Sequence, residues 1–330
     1  MYINAVGIEY PDMEELNKQL LLEILGGKRI CIEHQLDISN CENSREYRRF
    51  DRFSIIAMQG IKKIMKAVDG QDIVKGYDMA TVFNTSFGPI KTNLDFIHTI
   101  YEKDGTVPSP ITFSHTVNNA ALGHVCKNQK FKGPSTLLLS SNGIGVAESI
   151  LKNKSAKEVL VIGAEQYCDE LQMSYRQRGI QVVEAVAVIL GSLEKSENTY
   201  CRFLNYSEGN LGCHPIYGRQ ITRLDFIEKL TEKAIQRSQV SSADIQYAVI
   251  NSFDDSITQT QTEYYKKLNP DIQVINLYDS LGEMLGADFN VGATVIAKLY
   301  QENMIEEGKC CILHSFDISG NYITYVLNGA

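Results

Sequence analysis

The chain has no tryptophan and only 7 prolines in 330 residues, and basic side chains are its minority, 32 against 40 acidic, for a net charge of −8. That balance excludes a general nucleic-acid binder, and equally a protein that docks on anionic membranes through a broad basic face. No apolar run approaches the roughly 18 residues a bilayer span requires. The opening MYINAVGIEYPDMEE reaches acidic side chains too soon for a signal peptide and has no basic leader. The cysteines, at 31, 41, 126, 168, 201, 213, 310 and 311, include no CxxC pair and no Cys/His ligand spacing, so neither zinc nor a redox dithiol is expected. They read as reduced, mostly buried thiols of a cytoplasmic protein. What is present is an ordinary globule: 44% of residues are apolar and 22% charged.

Strands and helices alternate along the chain, which implies a mostly parallel sheet covered by helices. A strand at Ile3–Ile8 is followed by a helix at Met13–Leu25. Ile55, Ile56, Met58, Ile61, Ile64 and Met65 then recur at helical spacing after RRFDRFS. Met79–Asn84 reads as strand, Leu94–Glu102 as helix, Pro108–Pro110 as a rigid turn and Asn118–Cys126 as a small-residue helix. A strand at Thr136–Ser140, the turn SSNGIG and a helix at Val146–Lys152 come next, then the strands EVLVIGAEQ and VVEAVAVILGS. The second half repeats the rhythm. It has a strand at Tyr200–Tyr206, a helix at Arg223–Ser238, the strand YAVINSF, a helix near Thr260–Leu268 and the strand QVINLY. A Gly/Ala-rich helix at 286–300 leads to a hairpin of CCILHSF and YITYVLN. The charged stretch SLEKSENT is the most linker-like, dividing the chain into 1–197 and 198–330.

Four segments, in order and at matching spacing, resemble the β-ketoacyl-acyl-carrier-protein synthases of the thiolase-like fold. They are RRFDRFS; SPITFSHTVNNAALGHV with GPSTLLLSSNGIGVAESI; EVLVIGAEQ, similar to a strand ending in Gly-Gly-x-Glu; and LHSFDISGNYITYVL, similar to a C-terminal Asn-Ser-Phe-Gly-Phe-Gly-Gly segment. The resemblance implies α/β/α/β/α layers made of two five-stranded mixed-sheet halves. Helices starting at Asn142 and near Gly286 would occupy the central layer. It also implies an enzyme in which a cysteine at the start of a buried helix carries the acyl chain. Two histidines would serve decarboxylation and carbanion stabilisation.

This chain departs from that pattern at every catalytic position. Eight residues beyond Gly133-Pro134, where the family has its cysteine, stands Asn142, whose amide has no nucleophilic lone pair. Phe253 stands at the first histidine, Glu283 at the second, and Tyr278 at the family's lysine, while Gly282, Gly286 and Ala287 keep the frame. Ser140 and Ser141 adjoin Asn142, but a displacement along a strand turns the side chain away from the elbow, and a serine would need a base. Burial would raise the carboxyl of Glu283, yet a base without a nucleophile supports no condensation. His115, His124, His214 and His314 read as ordinary hydrogen-bonded histidines, Cys168 as an inert thiol, and Gly143 and Gly145 as close helix packing. The insertion that active members carry between the Gly-x-Glu and Glu-Gly-Ala strands is short here, spanning about residues 166–181.

The expectation is therefore a chain-length factor, a catalytically silent relative that pairs with an active ketosynthase and an acyl carrier protein in fatty-acid or polyketide biosynthesis. It would need no cofactor, no metal and no membrane insertion. The alternative is a ketosynthase-fold enzyme of altered chemistry, an acyltransferase or malonyl decarboxylase. Phe113, Leu137, Leu138, Leu139, Ser141, Asn142 and Phe316 are the expected pocket and interface residues.

Overall fold

The structure is a computed structural model that describes residues 1–30, 33–42, 45, 47–68, 73–102, 109–212 and 224–330. Cys31, Pro108, Cys213 and His214 lie outside the described residues.

Five strands make the first half: β1 (Tyr2–Glu9), β2 (Met79–Thr85), β3 (Ser135–Leu139), β4 (Glu158–Glu165) and β5 (Ala185–Ser192). Five make the second: β6 (Cys201–Asn210), β7 (Ile245–Ile250), β8 (Gln273–Asn276), β9 (Cys310–Phe316) and β10 (Asn321–Gly329). Their spatial order is β3-β2-β4-β5-β1-β6-β10-β9-β7-β8. Numbered within its own half and read from the outer edge inward, each half therefore runs third, second, fourth, fifth, first. The fifth strand is antiparallel to both its neighbours and the outer three are mutually parallel. The duplication is thus plain in the topology although the two halves share no obvious sequence. The expected halves are joined into one ten-stranded sheet where β1 meets β6 through the pairs Tyr2–Arg202 and Ile3–Cys201.

The helices are α1 (Lys18–Leu25), α2 (Ser39–Glu42), α3 (Arg52–Ala67), α4 (Ile90–Glu102), α5 (Pro110–Ser114), α6 (Ala120–Gln129), α7 (Ile144–Lys152), α8 (Asp169–Arg176), α9 (Leu224–Ser238), α10 (Asp255–Leu268), α11 (Leu277–Leu281) and α12 (Asp288–Gln301). α7 and α12 form the central layer. Their Ala147, Leu151, Val291 and Val295 pack against Val82 and Val161 of the first half and Val249 and Leu313 of the second. The outer layers are α3 with α6 on the first half and α9 with α10 on the second. This is the α/β/α/β/α arrangement the motifs implied.

α3 shows why the layers sit so close. Asp51 caps it by accepting from Ser54 N at 3.2 Å, and Phe53, Ile56, Ile61 and Ile64 are buried on the sheet. A Cβ on Gly60 would fall 2.5 Å from Val186 Cγ2, and one on Gly7 would fall 2.6 Å from Ile64 N. Both glycines are there for the contact between helix and sheet. The Pro110 region departs from expectation: it opens the short helix α5, with Ser109 accepting from Thr112 N at 3.3 Å as cap and proline in the first turn.

Gly60→Val should therefore lower the stability of the protein by about 1–3 kcal/mol through overpacking. Denaturant titration of both proteins measures this; equal midpoints would mean α3 rides further from β5 than described.

Candidate functional site

The turn that would carry a nucleophile lies between β3 and α7. Asn142 Oδ1 accepts from Ile144 N at 2.9 Å, so the side chain satisfies the first N–H of the helix it precedes. Its own N–H donates to Ser140 Oγ at 3.3 Å. Ser140 Oγ donates to Asp317 Oδ2 at 3.1 Å, and Ser141 Oγ lies 2.8 Å from Ser315 Oγ, so neither serine is paired with a base of the kind an acyl-transfer nucleophile uses. Cavities of about 490 and 370 Å³ border Asn142, lined by Tyr206 and Glu208 in one and by Asp317 and Tyr322 in the other. Neither is lined by Phe253, Tyr278 or Glu283.

Those three residues gather elsewhere. Phe253, past the end of β7, faces Tyr278 of α11 edge-on at 6.5 Å between ring centroids. Both pack on Tyr167, Tyr175, Val182 and Leu285. The Tyr278 carbonyl accepts from Arg29 at 3.0 Å and its hydroxyl from Gln181 N at 3.4 Å. Glu283 is 5% exposed and threads through a strand-like bridge: its N donates to Gln181 O at 2.9 Å and its carbonyl accepts from Val183 N at 2.8 Å. Its Oε1 accepts from Leu285 N at 3.1 Å. The side chain also hydrogen-bonds Asp288, itself buried and accepting from Met284 N at 3.0 Å. Burial raises both carboxyls, that of Asp288 well above its ordinary range with the Glu283 charge adding to the rise, so the pair shares a proton.

Two further carboxylates hold the landmarks in place. Glu165, at the end of β4, accepts from Ser86 N, Phe87 N, Gly286 N and the Thr85 hydroxyl at 2.6 to 3.2 Å. Burial pushes its carboxyl up to about 7 against the pull of those donors. Glu184 accepts from Arg52 Nε at 3.0 Å and Leu36 N at 2.7 Å, joining RRFDRFS to the strand that follows the short insertion.

The remaining expected residues fall into two groups. Leu137 and Leu138 are half-buried against the outer and central cores, while Leu139 is 56% exposed on β3, an edge strand. Phe113 is 59% exposed beside Phe96, at 5.5 Å between centroids. Phe316 instead packs on Tyr322, Ile257 and Leu211, away from Phe113. His314 is buried between Tyr265 at 2.7 Å and Tyr322 at 2.8 Å; burial drops it to about 3, a neutral core histidine as read. Cys168 is buried and burial raises its thiol, as expected of an inert one. The sequence reading missed the Asp288 and Asp317 contacts and the meeting of His115 with His124. Among the described residues no group of three or more His, Cys, Asp or Glu side chains is placed to hold a metal ion, and no helix is long and apolar enough to cross a membrane.

No protein-family model and no curated protein matches this chain. Solved structures do. The structure titled the ishigamide ketosynthase/chain length factor aligns with a TM-score of 0.79 at 14% identity, over 99% of each chain. A β-ketoacyl synthase from Burkholderia phymatum STM815 aligns with a TM-score of 0.76 at 12% identity, over 100% of this chain and 99% of that one. The chain has the ketosynthase fold. A ketosynthase (ApeO) in complex with its chain length factor (ApeC) from Xenorhabdus doucetiae aligns with a TM-score of 0.73 at 14% identity, over 100% of this chain and 98% of that one.

The shared proton sets a pH dependence. The native pair retains a proton above pH 4.5 that the unfolded chain has released, so stability falls as pH rises from about 5 until the pair ionises. The double variant Glu283→Gln/Asp288→Asn should flatten that limb, which is at most about 1.4 kcal/mol per pH unit for one proton, leaving the same-signed contributions of Glu165 and Glu184, whereas Glu283→Gln alone leaves Asp288 raised by its burial. Denaturant unfolding at several pH values between 5 and 8 checks it, and an unchanged slope would place the proton elsewhere.

Proposed function

We propose that this chain is a non-catalytic, chain-length-factor subunit that pairs with an active β-ketoacyl-acyl-carrier-protein synthase in fatty-acid or polyketide biosynthesis. The observation that carries the reading is that the catalytic positions are converted into structure. Asn142 is spent on a helix cap, Phe253 and Tyr278 on an aromatic contact, and Glu283 on a proton-sharing pair. None of these four is a nucleophile with its base, which weighs against the alternative of an acyltransferase or malonyl decarboxylase. The ketosynthase–chain-length-factor assemblies among the structural neighbours support the reading, as does the neighbour described as a carrier protein in complex with its ketosynthase.

The surface for the synthase is the β3 edge and the apolar side chains Ile111, Phe113, Val117 and Leu139, each at least half exposed. An open strand edge is a liability unless covered, and exposed apolar side chains add to it. An obligate interface of roughly 2,000 Å² or more would cover it. In the assembly, the α5 segment with Phe113 limits the acyl tunnel of the partner. Contact with an acyl carrier protein and a cytoplasmic location belong to the same proposal, as does the division of the chain at 197/198 into two halves.

Two measurements test it. Incubated alone with acyl- and malonyl-carrier protein, the subunit should show no mass increase and release no CO₂ above background. An adduct on Ser140, Ser141 or Cys168 would defeat the proposal. Co-expressed with the ketosynthase encoded beside it, the chain should co-purify as a heterodimer, and Phe113→Ala should lengthen the products. Failure to co-purify, with products of the partner unchanged, would count equally against it.

A further inference from the structure

His115 and His124 stand on different helical segments, yet their Nε2 atoms lie 3.1 Å apart with the rings stacked at 5.2 Å. His115, just past α5 and 7% exposed, has Nδ1 2.8 Å from the Ile111 carbonyl. A carbonyl only accepts, so Nδ1 carries the proton and Nε2 presents a bare lone pair to His124. His124, in α6, lies flat on the Phe50 ring at 4.0 Å, which fixes its direction. Burial and then the neighbouring His115 lower its pKa, favouring the neutral ring that ligates metals.

We infer that His115 and His124 form a two-imidazole site for a divalent transition metal of the zinc, nickel and copper class. With metal–nitrogen bonds of about 2.0–2.1 Å, two ligand nitrogens are about 3.0 Å apart in a cis-octahedral shell and about 3.4 Å apart in a tetrahedral one. The observed 3.1 Å falls between them. The Nδ1–H to carbonyl bond of His115 is the outer hydrogen bond by which ligating histidines hold their tautomer. On binding, the metal replaces the proton that His124 Nε2 donates to His115 Nε2; that proton moves to Nδ1 of His124 or to water. The charge of Asp51 favours a cation beside His124 and that of Lys127 opposes it. Among the described residues no third His, Cys, Asp or Glu completes the shell, so its remaining positions would fall to water that enters with the metal. Imidazole donors select these metals over calcium and magnesium, which require oxygen. The metal would clasp α5 to α6, and the inference stands apart from the proposed function.

The test is titration of the chelator-stripped, full-length protein with Zn²⁺ by calorimetry, with X-ray absorption on the loaded protein. One zinc per chain with two imidazoles in its shell is expected, the affinity falling at least tenfold as pH drops from about 7.5 to 5.5. His115→Ala and His124→Ala should each weaken binding at least tenfold, while His34→Ala, against Tyr167 and Val182, leaves it unchanged. No saturable binding, or an absorption spectrum of the wild type without two imidazoles, would overturn the site whatever the variants do and leave the pair a hydrogen bond only.

Discussion

The carboxylate of Glu165 is the fixed point of this molecule. It is fully buried, yet four donors from two separate places converge on it: Thr85 at the end of β2 with Ser86 and Phe87 just after it, and Gly286 at the entry to α12. A buried charge is tolerated only when such donors replace water. Once they do, β2, β4 and the central helix of the second half can no longer move independently. Gly286 shows how tightly they meet, since a Cβ there would lie 2.5 Å from Ser86 N and from Thr85 Cα. Asn290, one turn into α12, adds bonds to the carbonyls of Val161 and Ala187 at 2.9 and 3.1 Å. The frame glycines therefore persist for packing reasons that do not involve any reaction.

On the proposed reading, that separation is what lets the residues at 142, 253, 278 and 283 differ while the architecture stays. Each replacement adds a contact of its own. An aromatic pair closes over Tyr167 and Leu285, an amide caps α7, and a carboxyl shares a proton with Asp288. Reactive groups held ready for substrate are commonly costly to a fold, so their replacement by capping and packing residues runs toward stability.

Much of this architecture was legible in the sequence because it rests on local signals. Strand runs such as EVLVIGAE and the helical spacing of α3 are read from near neighbours, and the glycine-framed motifs placed α7 and α12 in the central layer. Boundaries were less legible. The first helix starts at Lys18, capped by Asn17, and not at Met13, because the cap and not the apolar spacing decides where the backbone turns helical. α11 was hidden in QVINLY, whose β-branched residues end where Asn276 caps a helix. α12 shows little periodicity because nearly every side chain in it is buried. The partners of Glu184, Asp317 and Glu165 could not be read at all, since they lie on strands and loops far apart in the chain. The meeting of His115 and His124 was hidden for another reason: the two are nine residues apart on separate helical segments, a spacing that matches no ligand motif.

The C-terminal loop between β9 and β10 is tied to the turn before α7. Where the ketosynthase pattern has glycine after Ser-Phe, this chain has Asp317, and its carboxylate collects the Ser140 hydroxyl, Ser319 N, Asn321 N and the Asn321 amide within 3.1 Å. Ser141 and Ser315 add a second tie between the loop and the would-be nucleophile turn. Hydrogen bonds to a charged group contribute roughly 1.5–3 kcal/mol each when buried and well aligned. A glycine-rich loop is free to swing, because glycine gives the backbone its full conformational range. A loop whose aspartate is bonded on both sides is not. The turn and the loop are consequently braced against each other, and Asp317 is the residue through which the C-terminal loop and the entry to α7 hold one another in place.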